Sequence, residues 1–209
     1  MLDCDECPKP AIDTVPFDAC RLLLGKDAKF VFQRLDDANN TFLNASNGIE
    51  LKTSWDPLPT AIGGTKVSIT PFLEDVNFNE QDTVEDGENF DGAANVVAVG
   101  PQLVTAIIRN PTPEEMDALE TLFCEQGTIS FYRLLANGNI GARKLTGTSD
   151  HAGIAISRNT FVVKDPSKGG TIADANKLML QFQLPAGWFR DFEMVTPEAG
   201  FNPLADIKP

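Results

Sequence analysis

The stretch PTPEEMDALETLFCEQ, Pro111–Gln126, decides how the rest of the chain is read, because it is the one convincing helix among strands and turns. Thr112 suits an N-cap, Pro113 the first helical position, and Glu115 the place from which a capping-box carboxylate reaches back. Met116, Leu119, Leu122 and Phe123 recur at three- and four-residue steps and make one face apolar. Gly127 supplies a stop, since glycine takes the left-handed conformation that ends helices. Burying the four apolar side chains is worth roughly 1.5–3 kcal/mol each before entropy. A helix this short is marginal alone and needs a sheet to lie on. Glu114, Asp117, Glu120 and Glu125 make the opposite face a solvated one with no catalytic pattern.

Working outward, the flanks read as strands. Ala28–Leu35 clusters aromatic and apolar residues before an Asp-Asp-Ala-Asn-Asn turn. Gly48–Trp55 reads as a second strand, and Thr65–Phe72 as a third whose end Pro71 places at an edge or bulge. Ala94–Arg109 is β-branched and broken by Gly100-Pro101, giving one bent strand or two short ones. After the helix, Asn137-Gly138 predicts a type I′ hairpin turn between Thr128–Ala136 and Asn139–Leu145. Gly153–Ile156 and Asn159–Val163 read as a further strand pair. In Asn176–Leu184 the residues Leu178, Leu180, Phe182 and Leu184 alternate with Lys177, Met179, Gln181 and Gln183. The fold class expected is mainly β: a sandwich or barrel-like domain over 28–195 with one flanking helix at 112–126. Residues 1–27 and 196–209 are expected to form extended arms. Trp188, Phe189, Phe192 and Phe201 are poor choices for a solvated tail, so they are expected to pack on the domain or on a neighbouring subunit.

Charge narrows the function classes. The 209 residues carry a net charge of −13, which repels nucleic acid and anionic lipid and argues against a conventional nucleic-acid-binding module. No apolar run reaches the roughly 20 residues that span a bilayer, and the acidic start MLDCDECPKP is unlike a secretory signal. Segment 79–94, NEQDTVEDGENFDGAA, gathers Glu80, Asp82, Glu85, Asp86, Glu88 and Asp91 without a basic residue. Like charges at that density repel, so an extended loop or a protruding hairpin is expected.

Chemistry is sparse. His151 is the one histidine and is read as a loop residue. The adjacent Ser149, Asp150 and His151 cannot point at one another as a triad requires. The acids of 80–91 sit in too soft a setting for a glycosidase pair; Asp82, Asp86, Glu88 and Asp91 offer hard oxygen ligands for calcium, though not at EF-hand spacing. Cys4-x-x-Cys7 is half a zinc site, with Cys20 as a weak third candidate, and reduced thiols are the simpler reading. No phosphate-cradling glycine motif, serine elbow or dinucleotide fingerprint occurs, so the expectation is a protein with no cofactor and no enzymatic activity.

Four stretches, ITPFLEDVNFNEQDTVEDGENFDG, PTPEEMDALETLFCE, ISFYRLLANGNIGARKL and LQFQLPAGWFRDFEMVTP, resemble the tail tube family of tailed bacteriophages. They are similar to tube and tail-ring proteins of phages infecting Bacteroides-type bacteria. The resemblance covers 28–195 and is one of element order; its fold is shared with type VI secretion tubes and tail terminators. It implies a virion structural protein, made in the host cytoplasm, that closes into rings, usually sixfold. Strands of neighbouring subunits would join into a continuous inner barrel, and rings would stack through a long loop. The partners implied are other copies of the chain, other tail proteins and DNA in transient passage, with no membrane. Glu80, Asp82, Glu85, Asp86, Glu88 and Asp91 would line the lumen or contact the next ring. Alternatives are a tail terminator, a connector ring, a head-decoration protein or a carbohydrate-binding β-sandwich.

Overall fold

The computed structural model describes residues 26–34, 48–62, 65–79, 83–88, 94–124, 129–147, 149–167 and 177–208. In chain order the elements begin with β1 (Asp27–Arg34), α1 (Lys52–Trp55), β2 (Val67–Ile69), β3 (Leu73–Phe78) and β4 (Thr83–Glu88). Then come β5 (Ala94–Val99), β6 (Gln102–Arg109), α2 (Pro113–Cys124), β7 (Ile129–Leu135) and β8 (Ile140–Lys144). Last are β9 (His151–Ala152), β10 (Ile154–Ala155), β11 (Val162–Ser167), β12 (Lys177–Leu184), β13 (Phe192–Val195) and α3 (Pro203–Asp206).

The chain is mainly β, a sandwich buttressed by one substantial helix, with α1 and α3 as single turns. The first sheet runs β13-β8-β7-β1-β2, with β9 on β8 and β10 on β7. The second runs β11-β12-β6-β3, and β4 pairs with β5 in a two-stranded sheet. All pairings are antiparallel.

Alternation on each strand builds the core between the sheets. Phe30, Phe32 and Phe131 of the first sheet meet Val104, Ala106, Ile108, Leu178, Leu180, Phe182 and Leu184 of the second. The strand β12 buries the four residues that its alternation assigns to one face. Phe30 lies edge-on to Phe131 at 5.1 Å and to Phe182 at 5.9 Å, while Phe161 stacks on Phe182 at 6.0 Å. Such pairs contribute about 0.5–1.5 kcal/mol each beyond their buried area.

The first sheet is covered on both faces. Val31, Tyr132, Leu134, Ile140 and Ala142 turn away from the sandwich interior and pack with Ile49, Trp55, Leu58, Phe201 and Ile207. This explains why β7, ISFYRLL, is buried at every position: a strand with two covered faces loses the polar half of its alternation. The C-terminal segment therefore folds back on its own domain. Asn202 caps α3 by accepting from Leu204 N at 3.2 Å, and Lys29 Nζ donates to Leu204 O at 3.2 Å. Phe201 is buried, Trp188 and Phe192 are half-buried, and Phe189 is exposed.

Helix α2 begins as its sequence dictates. Glu115 N donates to Thr112 Oγ1 at 3.2 Å, and Thr112 N donates to a Glu115 carboxylate oxygen at 2.8 Å. This reciprocal pair is the capping box. Leu119 is buried while Met116 and Leu122 pack partly buried against the inter-sheet core. Glu114, Asp117 and Glu120 are exposed. The side chain of Phe123, and residues Glu125 and Gly127, lie outside the described set.

Three strand expectations and one turn expectation are corrected. Gly48–Trp55 is a turn followed by α1, because Leu51 N donates to Gly48 O and the Trp55 indole donates to Ile49 O at 2.8 Å. Those bonds curl the segment so that Ile49, Trp55 and Leu58 all face the sheet. The third strand shrinks to Val67–Ile69, ending before Pro71. The β7–β8 loop is not type I′. Asn137 keeps a negative φ, Gly138 lies at φ +87°, and Gly138 N donates to Leu135 O while Leu135 N donates to Asn139 O. That is a three-residue loop, a type I turn followed by a left-handed glycine. Finally, β10 pairs with β7 and β11 with β12, not with each other. Gly153 permits the first pairing, since a Cβ there would sit 2.3 Å from Ser130 Oγ.

Candidate assembly surface: the acidic ribbon and its root

Within segment 79–94, Thr83–Glu88 is a strand that pairs with Ala94–Val99 in a two-stranded β-ribbon. In the second sheet β3 pairs with β6 through Phe78↔Val104, and Asn79 N then donates to Leu103 O at 2.9 Å. In the two-stranded sheet the pairing resumes at Thr83↔Val99. Phe78 and Thr83 are five residues apart, as are Val99 and Val104, so the described pairs of the two ladders have the same register. They end at Glu88↔Ala94. A six-residue strand of this kind is about 20 Å long. Neither β4 nor β5 pairs with any other described strand.

Glu85, Asp86 and Glu88 thus lie on β4, Glu85 opposite Val96 and Glu88 opposite Ala94. Glu80, Asp82 and Asp91 lie outside the described residues, as do Cys4, Cys7 and Cys20. Between Glu74, which Arg109 binds with its Nε at 2.9 Å, and Arg109 itself, the sequence holds no base. The ribbon's charge is therefore not neutralised along its own strands.

At the root, β3 and β6 are tied into the sandwich. Gln102 Nε2 donates to Asn79 O at 2.8 Å, and Gln102 Oε1 accepts from Trp188 Nε1 at 2.6 Å. The Trp188 ring stacks on Phe78 with centroids 5.8 Å apart. The Arg133 guanidinium lies over Phe78 at 4.4 Å and over Phe192 at 5.2 Å. Sequence reasoning missed this cluster: Trp188 is an aromatic near the C-terminus, and nothing local marks its partners at 78 and 102.

His151 lies in β9, not in a loop, and its Nε2 is 3.2 Å from Glu193 Oε2, which Lys144 Nζ approaches to 3.1 Å. Burial alone would raise the Glu193 pKa, but hydrogen bonds and charges from Lys144 and His151 outweigh it and hold the carboxyl below its ordinary value. Ser149 and Asp150 are exposed. Among the described residues no group of three or more His, Cys, Asp or Glu is placed to hold a metal ion. No described helix is long and apolar enough to cross a membrane.

Among the described residues several clefts are open to solvent, and two of them frame β2 and the β7–β8 turn. One of about 490 Å³ lies between β2 and α2 and mixes Lys29, Lys66, Glu114 and Glu115 with apolar residues. The β2 edge there is blunted, since Val67 N already donates to Leu58 O and Pro71 has no donor. The other, about 360 Å³, separates the β7–β8 turn from residues 196–204. No protein-family model matches the chain, and no curated protein matches it.

Proposed function

We propose that the chain is a virion structural protein, a tail tube subunit of a tailed bacteriophage whose copies close into stacked rings around a DNA-ejection conduit. The observation that carries this reading is the acidic ribbon: two strands that pair with no other described strand, in register with a sheet whose two outer strands each have one partner among the described strands. A two-stranded ribbon in water is marginal by itself, which suits an element that is completed by a neighbour.

The second sheet offers the means of closure. Its outer strands β11 and β3 each have one partner among the described strands. Joining β11 of one copy to β3 of the next would remove both edges at once. Each edge is also protected against indiscriminate pairing. Asp75 takes a positive φ of 48° within the irregular stretch of β3, and β11 is irregular between Lys164 and Ser167, where Pro166 lies. Val162–Lys164 is left as the regular stretch for a neighbour.

Charge suits a conduit. A basic wall would release counterions from DNA and hold it, whereas an acidic one keeps phosphates about 8 Å away at physiological salt. On this reading the ribbon lines the lumen or reaches the adjoining ring.

Light scattering on the purified chain at rising concentration tests the proposal. Mass should climb to multiples of the 22.7 kDa protomer. A chain that stays monomeric at high concentration and shifts on a glycan array would instead be a carbohydrate-binding sandwich.

A further inference from the structure

Trp188 belongs to neither sheet. It sits in a 3-10 turn, Trp188–Asp191, on the crossover from β12 to β13, with Gly187 at φ +76° turning the chain into it. From that position it touches both strands of the ribbon at their root. Its ring stacks on Phe78, the last residue of β3, and its indole N–H reaches Gln102, the first residue of β6. Gln102 then passes the contact across the ribbon, donating from its amide to Asn79 O. Phe192 meets the Trp188 ring edge-on at 5.6 Å, and Arg133, held by Asp27, closes over Phe78.

We propose that Trp188 is the positioning residue of the acidic ribbon, and that order in β4 and β5 depends on the Trp188–Gln102–Asn79 clamp. The ladder lacks a donor near its root and is irregular farther out. Pro101 has no N–H to give to it, and the pairing is irregular between Val84 and Glu85 and again between Glu85 and Glu88. Six acids at 80–91 repel one another with no base on the ribbon to offset them. A ladder of this kind draws its stability from what holds its base. With the clamp closed the first pairs are fixed and the rest can zip; with it open the ribbon frays while the sandwich stays folded. Trp188 is half-buried and packs at the margin of the inter-sheet core, so amides of the sandwich are the control for its loss. The inference concerns the single chain and stands or falls independently of ring formation.

Hydrogen exchange on the whole monomeric chain decides it. Trp188→Leu removes stack and donor, Trp188→Phe keeps a ring over Phe78 without the N–H, and Gln102→Leu removes both hydrogen bonds but no ring. Amides of 83–88 and 94–99 should exchange about tenfold faster in Trp188→Leu and Gln102→Leu. They should exchange only a few-fold faster in Trp188→Phe, with amides of 30–32 and 178–184 unchanged. Ribbon amides that exchange at the unmodified rate in Gln102→Leu would overturn the proposal. So would ribbon and sandwich amides accelerating by the same factor. If Trp188→Leu fails to fold, Gln102→Leu decides alone.

Discussion

Asp27 and Arg133 are joined through two hydrogen bonds of 2.7 Å each, although 106 residues separate them in sequence. Both side chains are nine-tenths buried. Two parallel N–H···O bonds satisfy the guanidinium fork and the carboxylate together, and the ring faces of Phe78 and Phe192 cover the guanidinium. Breaking one side of such a pair leaves a buried charge with no counter-charge. Asp27→Ala is therefore expected to cost about 3–5 kcal/mol, whereas Asp27→Ala with Arg133→Met should recover much of the loss. Chemical denaturation of the single and double variants checks the prediction.

The cap of α2 gives a smaller effect with a clear location. Thr112→Ala removes the acceptor for Glu115 N and should cost roughly 1 kcal/mol. Leu119→Ala, which empties a buried position against the sandwich, should cost about 2–5 kcal/mol. The same denaturation curves separate the two; equal losses would mean that the helix is held by its cap and not by its packing.

Glu193 predicts a pH dependence. Its folded-state pKa is lowered, so its contribution is present above the unfolded carboxylate pKa and is lost as pH falls through the folded value. Stability should therefore drop on acidification below the ordinary glutamate range, and Glu193→Gln should flatten that part of the profile. The carboxylate is 41% exposed, so the effect is a modest one. Melting temperature followed from pH 7 to pH 3 checks it.

Reversing Glu85, Asp86 and Glu88 to lysine tests the ribbon's charge. The melting temperature of the isolated chain should be unchanged, because charges on a ribbon outside the sandwich core contribute little to the fold. Particles carrying the variant should assemble poorly or stall in DNA ejection. Normal assembly together with normal ejection would remove both roles assigned to the ribbon.

What could be read from the sequence follows from how local its cause is. The capping box at Thr112 and Glu115, the alternation of β12 and the clustered apolar residues of β1 are local, and each element forms where its residues indicate. Trp55 shows the limit: eight residues that read as a strand curl because the indole finds Ile49 O and a second face of the first sheet needs covering. One signal of that second face is in the sequence, since ISFYRLL sets large apolar residues on both faces of the strand, Ile129, Phe131 and Leu135 on one and Tyr132 and Leu134 on the other. The partners of β10 depend on Gly153 passing close to Ser130, a contact that spacing does not reveal. For the ribbon, the acid run was legible as charge, while the Trp188–Gln102 contact that roots it joins residues 86 apart.

Negative-stain microscopy of the purified chain at high concentration tests the central claim most directly. Annuli or filaments of uniform width are the predicted result. A field of separate particles of single-chain size, unchanged as concentration rises, would contradict it.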